Sequence, residues 1–371
     1  MKSTILAKAV IIAGFMGGCV TAASALELRA GSGGPPTHPS NNPTYTTFVE
    51  KLNELSGGTL TARPMGLEVA TLANAISNLQ SGVLDVANVL TLYFAADFPH
   101  SMLVSELATL GSNGQAMTGA VTEYIMTCEP CIAEFAAKGI VYLGTGSTSP
   151  YNIISRIPIR SLADLKGKRL RSGGAPFTRW AEGLGAQPAE VSFNEEYESI
   201  ANGLLDGTIA PPINILTGKL YEIAPYITTV DIGTFHSASN FTTRQQTWKK
   251  LSPEQREWLV TAASWGVAAH GAGFAAGDLK VRDVKVEFLE PAADLVEANL
   301  AFAAKAKEAA TELGISRYKI ENASAEVERF ATLVEKWNGL VGDSDATDVG
   351  KMASMIQTEI FSKIDWNSYG Q

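Results

Sequence analysis

One stretch of the chain decides the fold, Ser161–Pro225, which reads SLADLKGKRLRSGGAPFTRWAEGLGAQPAEVSFNEEYESIANGLLDGTIAPPINILTGKLYEIAP. It predicts a short basic strand, a glycine turn and an amphipathic helix, followed by a second strand–helix–strand unit that ends after Asp206-Gly207. Alternating strands and helices of this kind are typical of a sheet that is covered by helices. The stretch therefore predicts an α/β lobe.

Arg171 is the most distinctive side chain of this stretch. It ends the predicted strand Lys168–Arg171 and directly precedes Ser172-Gly173-Gly174. At the carboxyl end of a strand in an α/β fold, a side chain faces the ligand crevice. The planar guanidinium group suits a carboxylate because it donates two parallel hydrogen bonds. The residues alone leave two interpretations open, a carboxylate-binding arginine or a solvated arginine in a surface salt bridge.

The same alternation occurs nearer the N-terminus, which predicts a parallel sheet with helices on its faces. The C-terminal third is helical instead, and begins with a capping box at Ser252 that opens a helix reaching Leu279 or beyond. Two further helices are predicted over Ala293–Glu312 and Ala325–Leu340. The strands predicted before Ser161 are Leu26–Ala30, Leu60–Arg63, Asp85–Val89, Ile140–Leu143 and Tyr151–Ser155.

The first residues, Met1–Ala25, have the pattern of a secretory signal peptide. Lysines precede an apolar run that is too short to cross a bilayer, and Ala23-Ser24-Ala25 provides a small-x-small cleavage site. We therefore expect a mature chain that begins at Leu26, is periplasmic and has no stable membrane insertion. Lipidation of Cys19 remains an alternative.

Composition and charge limit the class of protein. The 371-residue chain is 46% hydrophobic and 18% charged, as expected for a globular protein long enough for two lobes. Its net charge of −9 argues against nucleic-acid binding. Against this acidic background, the basic run of Lys166, Lys168, Arg169 and Arg171 stands out as a candidate anion receptor.

Two cysteines follow the predicted signal, Cys128 and Cys131. In an oxidising compartment a CxxC pair favours a structural disulfide, with a redox site, free thiols or a metal site as the alternatives. The four histidines lack the spacing of metal ligands, and no nucleophile stands beside a base. The sequence therefore predicts no catalytic residue, metal or cofactor.

An ordered set of segments resembles the solute-binding proteins of TRAP transporters, in the dicarboxylate-type (DctP-like) family. The segments are LSGGTLTARPMG at 55–66, LQSGVLDVAN at 79–88, LADLKGKRLR at 162–171, LGAQPAEVSFNEEYESIANGLLDG at 184–207, KLYEIAPYIT at 219–228 and WKKLSPEQREWLVTAA at 248–263. The resemblance implies a two-lobed periplasmic binding protein fold, with a ligand cleft, a hinge and a long helix spanning both lobes. It also implies capture of a small organic acid for a membrane permease driven by an ion gradient.

The expected organisation assigns 26–148 plus about 239–280 to a first lobe, and 149–238 plus about 281–345 to a second. A C-terminal helical segment is expected over 346–371. The resemblance implies that Arg171 binds the carboxylate of the ligand and that Phe193 is an apolar residue of the pocket. His236 lies at a polar pocket position, although a hydrogen-bonded structural histidine fits it equally well.

The chain departs from the family pattern at two pocket positions. Tyr151 stands where sialic-acid-type members carry a second arginine, which favours a monocarboxylate with hydroxyl, keto or aromatic groups over a dicarboxylate. Ala210 replaces a common asparagine, and Asn214 lies nearby. On the first lobe, polar contacts with the ligand are expected from Glu68, Asn88 and Tyr93.

Two rival functions remain open at this point. The chain also fits a binding protein of an ATP-driven importer. The fit to an extracytoplasmic enzyme acting on an organic acid is poorer, because such an enzyme needs a set of catalytic residues that the sequence does not display.

Overall fold

The computed structural model describes residues 25–371, so the predicted signal peptide and Cys19 lie outside the described residues. The strands are β1 (Leu26–Gly31), β2 (Leu60–Pro64), β3 (Val86–Val89), β4 (Ile140–Gly144), β5 (Asn152–Ser155), β6 (Arg169–Ser172), β7 (Gln187–Glu190), β8 (Gly207–Ala210), β9 (Tyr226–Thr228), β10 (Ser239–Arg244) and β11 (Glu287–Leu289).

The helices cover both sheets and dominate the C-terminal third of the chain. They are α1 (Thr44–Ser56), α2 (Ala75–Ser81), α3 (Pro99–Ser105), α4 (Gly114–Met126), α5 (Glu129–Ala137), α6 (Leu162–Leu165), α7 (Ala175–Gly183), α8 (Glu196–Ala201), α9 (Asn214–Thr217), α10 (Gln245–Lys250), α11 (Pro253–Lys280), α12 (Ala293–Ala304), α13 (Ala306–Ser316), α14 (Ala323–Val341) and α15 (Val349–Glu359). Short 3₁₀ turns occupy Thr91–Phe94, Ala108–Leu110, Phe193–Glu195, Leu220–Glu222, Val281–Asp283 and Phe361–Lys363.

The strands form two sheets, one in each lobe. The first has the order β2-β1-β3-β10-β4 and the second β11-β9-β5-β8-β6-β7. In the first sheet β10 runs antiparallel to both neighbours, and in the second β5 does the same. The expected two-lobed fold is confirmed. The parallel pairing predicted near the N-terminus is also confirmed, because β1 runs parallel to β2 and β3.

The antiparallel strands follow from the path of the chain between the lobes. The chain leaves the first sheet at the carboxyl end of β4 and enters the second sheet as β5. It returns from β9 to begin β10. Because each crossing segment enters its new sheet at the edge facing the other lobe, β5 and β10 run away from that edge. The other strands of the first sheet point their carboxyl ends towards it.

Helix α1 shows how the apolar spacing positions the first lobe. Tyr45, Phe48 and Leu52 recur every three or four residues, and each is at most 1% exposed. The helix ends at Gly57, whose φ of 57° lies in the left-handed region that glycine tolerates.

Helix α11 is the long element that touches both lobes. Ser252 and Gln255 form the predicted capping box, with reciprocal hydrogen bonds of 3.1 and 2.9 Å. The helix packs along α1 in the first lobe. Near its other end, Asp278 accepts a 2.8 Å hydrogen bond from the backbone N–H of Ile213 in the second lobe. A Cβ at Gly277 would lie 1.9 Å from Ile213 Cδ1, so glycine permits this close approach.

The segment between 281 and 345 does not belong to the second lobe throughout. Leu295 on α12 lies in the second-lobe core, whereas Ala310 on α13 and Phe330 on α14 lie in the first-lobe core. The single helix expected over 293–312 is also split, because α12 and α13 pack against different lobes. This corrects the expected boundary of the second lobe.

A disulfide joins Cys128 and Cys131 at the start of α5. Pro130 lies in the first turn of this helix, where its missing N–H costs no helical hydrogen bond. Among residues 25–371, no helix is long and apolar enough to cross a membrane.

Candidate ligand-binding site

A cleft of about 520 Å³ lies between the two lobes. Its first-lobe wall includes Gly33, His38 and Asn88, and its second-lobe wall includes Arg171 and Ser172. These residues lie at or just after the carboxyl ends of strands, where ligands bind in α/β folds. The volume is that of a site for a small molecule.

Arg171 is placed in this cleft by strand β6 and is 8% exposed. Its Nε donates a 2.9 Å hydrogen bond to the carbonyl oxygen of Val191, which fixes the plane of the guanidinium group. Within the described residues, its two terminal nitrogens make no hydrogen bond; Nη1 lies 3.7 Å from Glu196 Oε1. The side chain is therefore held in place with donors left to bind a carboxylate.

Glu196 lies behind Arg171, with its carboxylate 1% exposed. Burial raises the pKa of Glu196, while Arg171 and the hydrogen bond from Thr208 oppose that shift. Thr208 Oγ1 donates to Oε1 at 2.5 Å, and Oε2 has no hydrogen-bond partner among the described residues. Burial thus opposes the charged form of Glu196, and at 3.7 Å from Nη1 its Oε1 makes no hydrogen bond to Arg171.

Helix α7 begins beside Arg171, and Gly173, Gly174 and Ala175 line the cleft there. The first backbone N–H groups of a helix have no helical partner, and the helix dipole is positive at this end. Pro176 occupies the first turn. The start of α7 thus adds to the favourable environment for an anion around Arg171.

Aromatic rings form another part of the cleft wall. Tyr151 is stacked between Phe177 and Phe235, with ring centroids 4.4 and 6.4 Å away. Burial raises the pKa of Tyr151, so its hydroxyl stays protonated. His38 packs in T-shaped contacts with Phe193 and Phe274, with ring centroids 5.3 and 5.7 Å away. The arrangement suits a flat ligand body.

Two histidines on the first-lobe side, His38 and His270, also line the cleft. His38 Nδ1 lies 2.7 Å from Ser40 Oγ, and His270 Nδ1 lies 3.1 Å from Thr44 Oγ1. Burial lowers the pKa of His38 to about 4 and, together with the charge of His38, that of His270 to about 3. Both imidazoles are therefore neutral at physiological pH.

Charge along the cleft is sparse. Of the residues that line it within the described chain, Arg171, Glu190 and Arg317 are the charged ones, apart from the two histidines. Glu190 and Arg317 are exposed. Arg171 is thus the single buried cation of the described cleft wall.

Six of the eight residues proposed from the sequence line this cleft. Asn88 is fixed by a 3.1 Å hydrogen bond from its Nδ2 to the carbonyl oxygen of Ser32. Tyr93 lies at the cleft on a short 3₁₀ turn and is 47% exposed. The six are Arg171, Tyr151, Phe193, Asn88, Tyr93 and Asn214.

Glu68 and His236 are placed elsewhere. Glu68 is exposed on the loop after β2, the outermost strand of its sheet. His236 is 3% exposed, and its Nε2 lies 3.1 Å from the carbonyl oxygen of Val104. Its neighbour Phe235 lines the cleft instead. The structure therefore corrects the expected contact at these two positions and favours the structural alternative for His236.

The sequence did not identify His38, His270 or Phe274 as individual site residues. His270 and Phe274 are four positions apart on α11 and therefore share one helix face. That spacing was a usable signal. Arg317 and Tyr318 also reach the cleft, from the segment after α13, and no local pattern indicates this.

Comparisons with known proteins agree on one family. The profile described as "Bacterial extracellular solute-binding protein, family 7" (DctP) matches residues 30–312. A curated solute-binding protein of Roseobacter denitrificans is 28% identical over 151 residues, which cover 40% of this chain and 44% of the relative. The chain spans less than half the length of the first curated relatives it matches, namely 44%, 37% and 27%.

Solved structures of TRAP solute-binding proteins share this fold. One from Rhodoferax ferrireducens, in complex with copurified benzoate, superposes with a TM-score of 0.74 at 19% identity, covering 86% of this chain and 100% of that one. Another, from a marine metagenome and described as specific for aromatic acid ligands, holds 3-hydroxybenzoate. Its TM-score is 0.73 at 20% identity, covering 85% of this chain and 99% of that one.

Proposed function

The chain belongs to family 7 of the bacterial extracellular solute-binding proteins, and from this premise we propose that it is a periplasmic receptor for a small organic carboxylate. The receptor delivers its ligand to the membrane permease of a TRAP transporter, which an ion gradient drives. The signal peptide expected over Met1–Ala25 supports export to the periplasm.

The observation that carries the proposal is the state of Arg171. Its guanidinium group is buried at the cleft, anchored through Nε to Val191, and its terminal nitrogens are left for a ligand. A buried cation without a matched hydrogen-bonding anion is costly, and a bound carboxylate would remove that cost. The α7 N-terminus next to it favours the same charge.

A monocarboxylate fits the cleft better than a dicarboxylate. Arg171 is the one buried cation that the described residues bring to the cleft wall, so a second carboxylate would find no comparable partner there. Tyr151 stands in place of the second arginine of sialic-acid-type members. The stacked rings around Tyr151 and the contacts of Phe193 favour a flat ligand. The benzoate and 3-hydroxybenzoate of the similar structures support this class.

Capture requires no covalent chemistry. The cleft takes residues from both lobes, and crossing segments at 145–151 and 229–238 join the lobes. A ligand that contacts both walls binds the closed form more tightly and so shifts the population towards it. Arg171 anchors the carboxylate to the second lobe, while the first-lobe wall contacts the rest of the molecule.

A thermal-shift screen tests the proposal on the mature chain. Benzoate, 3-hydroxybenzoate, mandelate and succinate serve as probes. A ligand at 100 times its Kd stabilises the folded state by about 2.7 kcal/mol. We expect stabilisation by monocarboxylates and a smaller radius of gyration in small-angle scattering when the best probe is added. Tight binding of succinate alone would contradict the monocarboxylate proposal, and no response to any organic acid would contradict the receptor proposal.

A further inference from the structure

His38 and His270 lie on the same wall of the cleft, and neither is explained by carboxylate binding. Both rings contact Phe274, with centroids 5.7 and 5.0 Å away. Each uses Nδ1 for a hydrogen bond within the protein. Within the described residues, the Nε2 atom of each ring makes no hydrogen bond. Two polar atoms are thus available on the cleft wall.

The hydrogen bonds of His38 determine which nitrogen carries its proton. The backbone N–H of Ser40 donates to Nδ1 at 3.1 Å, and Ser40 Oγ lies 2.7 Å from the same atom. Nδ1 is therefore an acceptor. In the neutral ring the proton lies on the other nitrogen, so Nε2 of His38 is a donor towards the cleft.

His270 has the opposite tautomer. Thr44 Oγ1 donates its single proton to the carbonyl oxygen of Pro39 at 2.6 Å. The same oxygen lies 3.1 Å from His270 Nδ1, and without a proton to spare it accepts from that nitrogen. His270 Nδ1 therefore carries the proton, and its Nε2 is an acceptor.

We infer that His38 and His270 together recognise a hydroxyl group on the ligand, so that this receptor selects a hydroxy-substituted monocarboxylate. A hydroxyl accepts one hydrogen bond and donates another, which matches one donor and one acceptor on the same wall. A keto oxygen only accepts, and it leaves the buried acceptor on His270 without a partner. The inference rests on the proposed function, and it identifies the class of carboxylate.

A second carboxylate does not replace the hydroxyl at this wall. A carboxylate has no proton to give to His270 Nε2, and binding it well would require protonated imidazoles. Burial holds the pKa of His38 and His270 at about 4 and about 3, so protonation near neutral pH costs free energy. Arg317, the other arginine among the described lining residues, is exposed.

Isothermal titration calorimetry on the mature chain tests the inference with two matched series. The first series compares benzoate, 3-hydroxybenzoate and 3-methoxybenzoate. The second compares phenylacetate, mandelate and phenylglyoxylate, which differ in carrying no substituent, a hydroxyl and a keto group. We expect the best hydroxy acid to bind about tenfold more tightly than its unsubstituted analogue and than its methoxy or keto analogue, which can only accept. This difference in affinity corresponds to the net contribution of one to two hydrogen bonds.

Variants attribute that preference to the two rings. His38→Phe and His270→Phe keep an aromatic ring and remove both nitrogens, so we expect the tenfold preference for the hydroxy acid to vanish. His100→Phe is the matched control, because His100 bonds Glu134 outside the cleft. Melting temperatures verify folding, and the comparison of ligands on the unaltered chain decides the question if a variant does not fold.

The outcomes separate this inference from the proposed function. If unsubstituted, keto and hydroxy acids bind equally, with affinity that depends on Arg171, the inference is wrong and the receptor proposal stands. The same holds if the hydroxyl preference survives in both histidine variants. If no carboxylate binds at all, both fail.

Discussion

An ion pair between the lobes, formed by Glu106 and Arg179, predicts that removing the arginine lowers the stability of the folded protein. Glu106, at the end of α3, has a side chain that is 0% exposed and lies 2.5 Å from Arg179 Nη2 on α7. Tyr318 donates a hydrogen bond to its other oxygen at 2.5 Å. Arg179→Met removes the cation, keeps the apolar stem and leaves the carboxylate buried with one hydrogen bond.

The size of the effect follows from this geometry. At the 2.5 Å separation of the pair, the Coulomb energy is about 7 kcal/mol for an effective dielectric constant of 20. Desolvation offsets much of it, and breaking one side of a buried pair typically costs about 3–5 kcal/mol. Because Arg179 is 29% exposed and Tyr318 still donates a hydrogen bond to Glu106, we expect the free energy of unfolding to fall by the lower value, about 3 kcal/mol. That corresponds to a fall in Tm of about 6 °C for a large domain.

Thermal unfolding followed by circular dichroism measures this effect. Glu106→Gln should cost less than Arg179→Met, because the half-buried arginine regains water while a buried carboxylate does not. The double variant should be more stable than Arg179→Met alone, since it removes the uncompensated charge. An unchanged Tm in Arg179→Met, or a double variant no more stable than it, would refute the reasoning.

Three further predictions follow from the site and the fold. The preference for the hydroxy acid should stay constant in calorimetry between pH 8 and 5.5 and weaken only as the pH falls towards 4. The reason is that the lowered pKa values of His38 and His270 keep both rings neutral above that pH. A tenfold loss of the preference between pH 8 and 6 would contradict this prediction. The double variant Cys128→Ser/Cys131→Ser should bind the ligand with unchanged affinity and have a slightly lower Tm, since the loop closed by the disulfide is short. Two free thiols in mass spectrometry of periplasmic protein would contradict the structural role of the disulfide. Gly277→Ala should lower the free energy of unfolding in chemical denaturation by about 1–3 kcal/mol, because its Cβ would lie 1.9 Å from Ile213 Cδ1. Gly339→Ala is the control, because a Cβ at Gly339 would have no neighbouring atom within 4 Å.

Local patterns predicted the elements well where one face of a helix is buried. Tyr45, Phe48 and Leu52 recur at helical spacing on the buried face of α1, and the capping box at Ser252 located the start of α11. Arg171 stood out because it ends a predicted strand directly before a glycine turn, while the family resemblance favoured carboxylate binding over a surface salt bridge. In each case the physical cause lies within a few residues of sequence.

Other features depend on contacts between distant parts of the chain. Nothing local distinguishes β5 and β10 from their parallel neighbours, because their direction follows from crossing between the lobes. The division of α12 from α13 reflects packing on different lobes. The roles of His38 and His270 depend on hydrogen bonds to Ser40 and Thr44, which the fold alone brings together. Glu68 was misplaced because β2 is the outermost strand of its sheet.

The claim that Arg171 binds the ligand's carboxylate is tested most directly by calorimetry of three variants with the tightest-binding monocarboxylate. Arg171→Ala should lose about 2–5 kcal/mol of binding free energy, and Arg171→Lys should recover only part of it because lysine lacks the planar fork. Arg169→Ala is the matched control, since Arg169 is exposed on the same strand and pairs with Asp206 at 2.9 Å. The account predicts a loss confined to position 171; unchanged affinity in Arg171→Ala, or an equal loss in Arg169→Ala, would contradict it.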